Sequence, residues 1–130
     1  EKLIHYLNDV KFSFNSYTMN LPSQVMGVEA VKDDVYFKET TAKIVATRER
    51  IKKELSQLGF TFPDSKANFI FASHKEVPAE ELFPALRAAD IYVRHWNKER
   101  IANSLRITVG TDEEMDRLIA FLKEYLEKRA

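Results

Sequence analysis

At 130 residues, with 20 basic and 20 acidic side chains, the chain has room for one domain with a modest core, and it lacks the net charge that would draw the whole molecule onto nucleic acid or an anionic membrane. It contains no cysteine, which removes disulfide scaffolds, thiolate nucleophiles and every Cys-ligated metal site. No run approaches the roughly 18 consecutive apolar residues of a membrane helix.

The 3 glycines and 4 prolines do not cluster, so no flexible linker divides the chain. Leu3, Ile4 and Leu7 form a short apolar stripe that reads as the end of a helix in residues 1–10. "VKFSFNSYTMNLPS", Val10 to Ser23, follows neither period cleanly and reads as a connecting loop packed by its aromatics. From Gln24 to Leu58 the apolar positions step in threes and fours: Val25, Val28, Val31 and Val35, then Val45, Ile51, Leu55 and Leu58. One straight helix of that length would span about 50 Å, too long for a small domain, so a break is expected within "VKDDVYFKETT". Gly59 is placed to end the second helix in the left-handed conformation.

Four short runs read as strands: Phe60 to Phe62, Asn68 to Ala72, Ile91 to His95 and Ser104 to Gly110. In the last, Leu105, Ile107 and Val109 face one way, Arg106 and Thr108 the other. Between the second and third lies a helix opened by Pro78, with Leu82, Leu86 and Ala89 on one side and Pro84 early enough to be tolerated. The last helix has the spacing of a capping box, Thr111 with Glu114, ahead of an apolar stripe of Met115, Leu118, Ile119, Leu122 and Leu126. The order predicts an α+β fold with a small three- to four-stranded sheet covered by helices.

Global neutrality hides a local excess of base. Between Tyr92 and Arg106 stand Arg94, Lys98, Arg100 and Arg106 against the single acid Glu99. An arginine inside a strand must direct its planar fork of donors onto one sheet face, where a carboxylate or phosphate can meet it bidentately. If the third and fourth strands are neighbours, Arg94 and Arg106 converge on one anion. The alternatives are a solvated face, or internal ion pairs with acids such as Asp90 or Asp112. His5, His74 and His95 show no metal-ligand spacing and read as structural or surface residues. Glycine is too scarce for a phosphate loop, no catalytic triad stands out, and Phe60, Phe62, Phe69 and Phe71 alternate as core residues do, without the basic neighbours a nucleic-acid platform needs.

The stretch "IYVRHWNKERIANSLRITVGTDEEMDRLIAFLKEYL" resembles the end of the histidinol-phosphate aminotransferases, members of the fold-type I pyridoxal-phosphate enzymes. "LIHYLNDVKFSFNSYTMNLPSQ", "ATRERIKKELSQLGF" and "PDSKANFIFA" agree with them in order. The resemblance implies the small C-terminal domain of such an enzyme, with residues 1–22 as a connecting segment from a cofactor domain and residues 23–130 as the small domain. It places the lysine that carries pyridoxal 5′-phosphate, and every other cofactor contact, in the preceding large domain, so that this chain without that domain is expected to be inactive. Arg106, in "SLRIT", matches an arginine that binds the acidic end of the substrate. Arg94, in "YVRHW", matches a second arginine near the substrate phosphate, and Asn15, in "FNSY", lies in a segment that approaches the active site. The implied reaction of the parent is amino-group transfer between L-histidinol phosphate and 2-oxoglutarate, in a cytoplasmic homodimer without membrane or nucleic-acid partners. An aromatic amino acid or another phosphorylated amine is an alternative substrate. A free-standing anion-binding or protein-interaction domain is the alternative in a different class.

Overall fold

The computed structural model describes residues 1–14 and 19–129, which divide into two units, residues 1–38 and the remainder from Glu39. In the first unit α1 runs Lys2–Phe14 and α2 runs Leu21–Lys32. Helix therefore occupies both ends of the stretch expected to be a loop. Val10 continues the spacing of Leu3 and Leu7, which extends α1. Asn20 caps α2 by accepting from the Ser23 amide at 2.9 Å, with Pro22 in the first turn, where its missing N–H is not needed. The expected break falls at Asp33. Its amide donates to the Glu29 carbonyl while its ψ of 68° leaves the helix, and its carboxylate accepts from the Tyr36 amide at 3.1 Å to start α3, Asp34–Gln57. The residue thus ends one helix and opens the next. No residue of α2 is buried within this structure.

The second unit holds most of α3 and a four-stranded antiparallel sheet in the order β1-β2-β4-β3. The strands are β1 Phe60–Thr61, β2 Phe69–His74, β3 Arg94–His95 and β4 Leu105–Thr108. One face of the sheet supplies Ile70, Ala72, Leu105 and Ile107 to a single core. Against them pack Ile51 and Leu55 of α3, Leu82 and Leu86 of α4 (Ala79–Ala88), and Met115, Leu118, Ile119 and Leu122 of α5 (Asp112–Glu127). This is the expected α+β layering, stabilised by roughly 1.5–3 kcal/mol for each large side chain removed from water. The opposite face presents Phe69, Phe71, Ser73, Arg106 and Thr108, half-buried or exposed. Phe69 and Phe71 are therefore not the core positions of their strand. Ile70 and Ala72 are, because a one-residue offset reverses every side chain of a strand.

The turns explain where strands begin. Gly59 takes a φ of 86° at the end of α3, as expected. After α4 the Asp90 amide donates to the Arg87 carbonyl and the Ile91 amide to the Leu86 carbonyl, a Schellman stop with Asp90 itself at a φ of 56°. That stop uses the Ile91 amide, so β3 pairs only from Arg94 and not from Ile91 as the alternation suggested. The Thr111–Glu114 capping box forms in both directions, amide to hydroxyl at 3.3 Å and amide to carboxylate at 2.8 Å. A triple ion pair then clamps α5 to α3, since Arg50 meets Asp112 at 2.9 Å, Asp116 at 2.7 Å and its own helix's Glu54 at 2.9 Å. No described helix is long and apolar enough to cross a membrane.

Candidate anion site

Pairing of β3 with β4 sets Arg94 directly opposite Arg106, on the face turned away from Leu105 and Ile107. Residues opposite one another in an antiparallel pair have β-carbons about 5 Å apart, so two permanent cations are held together by the backbone. What they touch is aromatic. The Arg106 guanidinium carbon lies 5.4 Å from the Trp96 ring centroid and 5.4 Å from that of Phe69, and the Arg94 carbon lies 5.7 Å from Trp96. Phe69 reaches Arg106 along the sheet diagonal, because its direct partner is Thr108.

Neither guanidinium meets a carboxylate among the described residues. The two acids considered as internal partners are engaged elsewhere. Asp112 accepts from Arg50 and from the Thr47 hydroxyl, and Asp90 accepts from the Tyr92 hydroxyl at 3.5 Å. Arg50, through its hydrogen bond first, holds the Asp112 carboxyl below its ordinary range. The Nε of Arg106 is buried with no hydrogen-bond partner among the described residues. A buried donor left unpaired costs about 1–3 kcal/mol. The third residue expected at the site, Asn15, lies outside the described residues.

Two of the histidines hold the fold together, and the third lies on the surface. His95 Nε2 bonds the Ala102 carbonyl at 2.7 Å and its ring packs against Phe83. His74 Nδ1 accepts from the amides of Glu76 and Val77, which puts its proton on Nε2 for the Leu58 carbonyl at 2.8 Å. His5 sits exposed beside Asp9. Among the described residues no three His, Asp or Glu side chains could jointly hold a metal.

An aldehyde cofactor held covalently needs a lysine that can give up its proton in a sheltered site. The four strands contain no lysine, and every lysine but Lys52 is exposed. Lys52 bonds Asp64 at 2.5 Å and Glu49 at 2.9 Å, and these carboxylates push its pKa upward. The residues present do not fit such a cofactor. Among the described residues of this unit, one cleft of about 350 Å³ opens between Tyr92–Val93 and Ile107–Thr108, and another of about 500 Å³ around Gly59, His74 and Leu126. Neither is lined by the arginine pair. The contribution of Trp96 and Phe69 was not foreseen from the sequence, although the spacing of Arg94 and Trp96, two apart on an extended segment, is the signal that puts both on one face.

A family model for aminotransferase class I and II matches residues 1–122. The histidinol-phosphate aminotransferase of Lactococcus lactis subsp. cremoris is 51% identical over 126 residues, 97% of this chain and 35% of that protein. That of Brachyspira hyodysenteriae is 49% identical over 123 residues, 95% and 35% respectively. The structure of histidinol-phosphate aminotransferase from Sinorhizobium meliloti in complex with pyridoxal-5′-phosphate superposes with a TM-score of 0.70 at 29% identity, over 78% of this chain and 28% of that one. The enzyme from Clostridium acetobutylicum reaches 0.76 at 20% identity, over 93% and 37%, a likeness of fold. The chain spans about a third of the length of the curated relatives it matches.

Proposed function

Because the chain belongs to the class I and II aminotransferase family, we propose that it serves as the substrate-recognising small domain of a pyridoxal-phosphate-dependent transaminase acting on L-histidinol phosphate and 2-oxoglutarate. Its helices and four-stranded antiparallel sheet have the architecture of the small C-terminal domain of fold-type I aminotransferases. In this reading residues 1–22 connect to a cofactor-bearing domain and residues 23–130 form the small domain. The cofactor supplies the electron sink for amino transfer and is held by the remainder of a longer polypeptide. What Arg94 and Arg106 do is bind: their forks take the phosphate of the amine substrate, or the carboxylate of the keto acid, and so orient the reacting carbon.

The observation that carries the reading is the placement of two arginines directly opposite in the β3–β4 ladder, with no carboxylate on either among the described residues. Like charges opposite one another are destabilising, so an arrangement of this kind favours an anionic ligand. The test is steady-state kinetics of the full enzyme with histidinol phosphate and with the unphosphorylated amino alcohol, beside melting curves. Arg94→Ala and Arg106→Ala should each lower kcat/KM for the phosphorylated amine by roughly 30- to 1000-fold, the equivalent of about 2–4 kcal/mol. The unphosphorylated alcohol should lose far less. Equal losses for both substrates with a large fall in Tm would reject anion recognition and leave the arginines a structural role.

A further inference from the structure

Two observations at this face call for an account beyond the arginines themselves. The guanidiniums face each other without a counter-ion among the described residues, and both lie on the same indole. A carboxylate in that place would neutralise them by taking the in-plane N–H groups, the same edges an incoming oxyanion needs. An aromatic ring attracts a cation through the opposite geometry. Its negative π-face meets the flat face of the guanidinium and leaves the edge donors free. The Arg106 Nε, buried and without a partner among the described residues, is an edge donor that no acceptor has taken. The exposed Arg94 would otherwise be free to swing into water, since a long side chain loses considerable rotamer freedom when it is fixed.

We propose that Trp96 is a positioning residue of the anion site. Its ring holds Arg94 and Arg106 by their faces, offsets part of their mutual repulsion before ligand arrives, and presents both donor edges together to a phosphoryl group. Phe69 supports Arg106 from the neighbouring strand in the same manner. The inference rests on the reading of the two arginines as an anion receptor and adds to it the element that orders the receptor in advance, which lowers the ordering cost of binding.

The chain provides its own reporter, since Trp96 is its only tryptophan. Inorganic phosphate is titrated into the 130-residue chain at constant ionic strength, with ³¹P line broadening as the measure of binding and indole emission as the measure of the ring's surroundings. Wild type should bind saturably, with a change in emission that follows the same isotherm, and Arg106→Gln should lose both. Trp96→Phe, which keeps an aromatic face, should stay within about threefold of wild type. Trp96→Leu should weaken phosphate about tenfold, the loss of one modest cation–π contact from each arginine.

Far-UV circular dichroism establishes that each variant is folded. Should the leucine variant unfold, the wild-type emission decides the matter without it: phosphate saturation seen by ³¹P with no change at the indole overturns the role of Trp96. A folded Trp96→Leu that binds as wild type also overturns it, while leaving the arginine receptor standing. Failure of wild type to bind phosphate, or undiminished binding by Arg106→Gln, overturns the receptor itself and the positioning role with it.

Discussion

Replacing Gly59 by alanine tests the hinge on which α3 hands over to the sheet. The backbone there has a φ of 86°, a conformation that costs an L-residue about 1–2 kcal/mol, partly offset by the roughly 0.4–1 kcal/mol that a less flexible unfolded chain returns. The added Cβ would stand 3.0 Å from His74 Nε2, the nitrogen that donates to the Leu58 carbonyl at 2.8 Å. Moving the ring by a few tenths of an ångström strains that bond and the two amide bonds into Nδ1, a further loss of about 0.5–1.5 kcal/mol. The sum is roughly 1–3 kcal/mol, which for a domain of this size is a fall in Tm of about 5–20 °C. Thermal melts and urea titrations with unchanged m-value measure it. If contact with His74 is part of the cause, Gly59→Ala combined with His74→Ala should be less destabilised than the two single changes added together, by about 1 kcal/mol. A Gly59→Ala variant melting within about 2 °C of wild type, or strict additivity in the cycle, would refute the reasoning.

Asp90 holds the left-handed stop of α4 at a φ of 56°, so Asp90→Gly should be neutral to about 1 kcal/mol stabilising and Asp90→Val destabilising by about 1–2 kcal/mol; urea midpoints in the reverse order would contradict the assignment of the stop. Arg50 first and then Thr47 lower the Asp112 carboxyl from its ordinary 3.8, and Lys52 lowers Asp64 from 3.8 and Glu49 from 4.5. The folded chain thus binds these protons less readily than the unfolded one. The stability they contribute is complete above about pH 5 and is lost as pH falls through roughly 4 and below. Urea midpoints should accordingly be level between about pH 7 and 5 and then decline, and Arg50→Gln should lower the plateau and shallow the decline; an unchanged acid slope in that variant would count against the network.

Much of this molecule is legible in its sequence because local signals and the core agree. The capping box at Thr111 and the apolar stripe behind it define α5, and Gly59 and the Asp33–Asp34 pair mark where α3 ends and begins. The discrepancies have physical causes of a different range. Phe69 and Phe71 alternate as well as Ile70 and Ala72 do, and period two identifies a strand without saying which of its faces is dry. Only the pairing of Ile70 with Ile107 decides it, a contact far apart in sequence. Ile91 to Val93 alternate like a strand yet remain outside the ladder, because the Schellman stop of α4 takes the Ile91 amide before pairing can start. The same dependence hides the site: Arg94 and Arg106 can be named from the sequence, but that they stand opposite one another on a shared indole follows from the β3–β4 register.

The net charge of zero also acquires a meaning once the charges are located. Arg50 takes three acids, Lys52 takes Glu49 and Asp64, Lys32 pairs with Glu29, and Lys38 pairs with Asp34. Acids and bases thus cancel along and between helices, many of them at the three- and four-residue spacings that a helix brings together. A strand has no such spacing to offer, since its neighbours are set by register and face. Among the described residues the pair on β3 and β4 is left with aromatic faces in place of carboxylates, and its positive potential survives in a chain whose total charge is zero. A carboxylate introduced beside the pair, two residues along β4 on the same face as in Thr108→Glu, would by this argument act as an internal competitor for the same edge donors and weaken phosphate binding with no loss of fold.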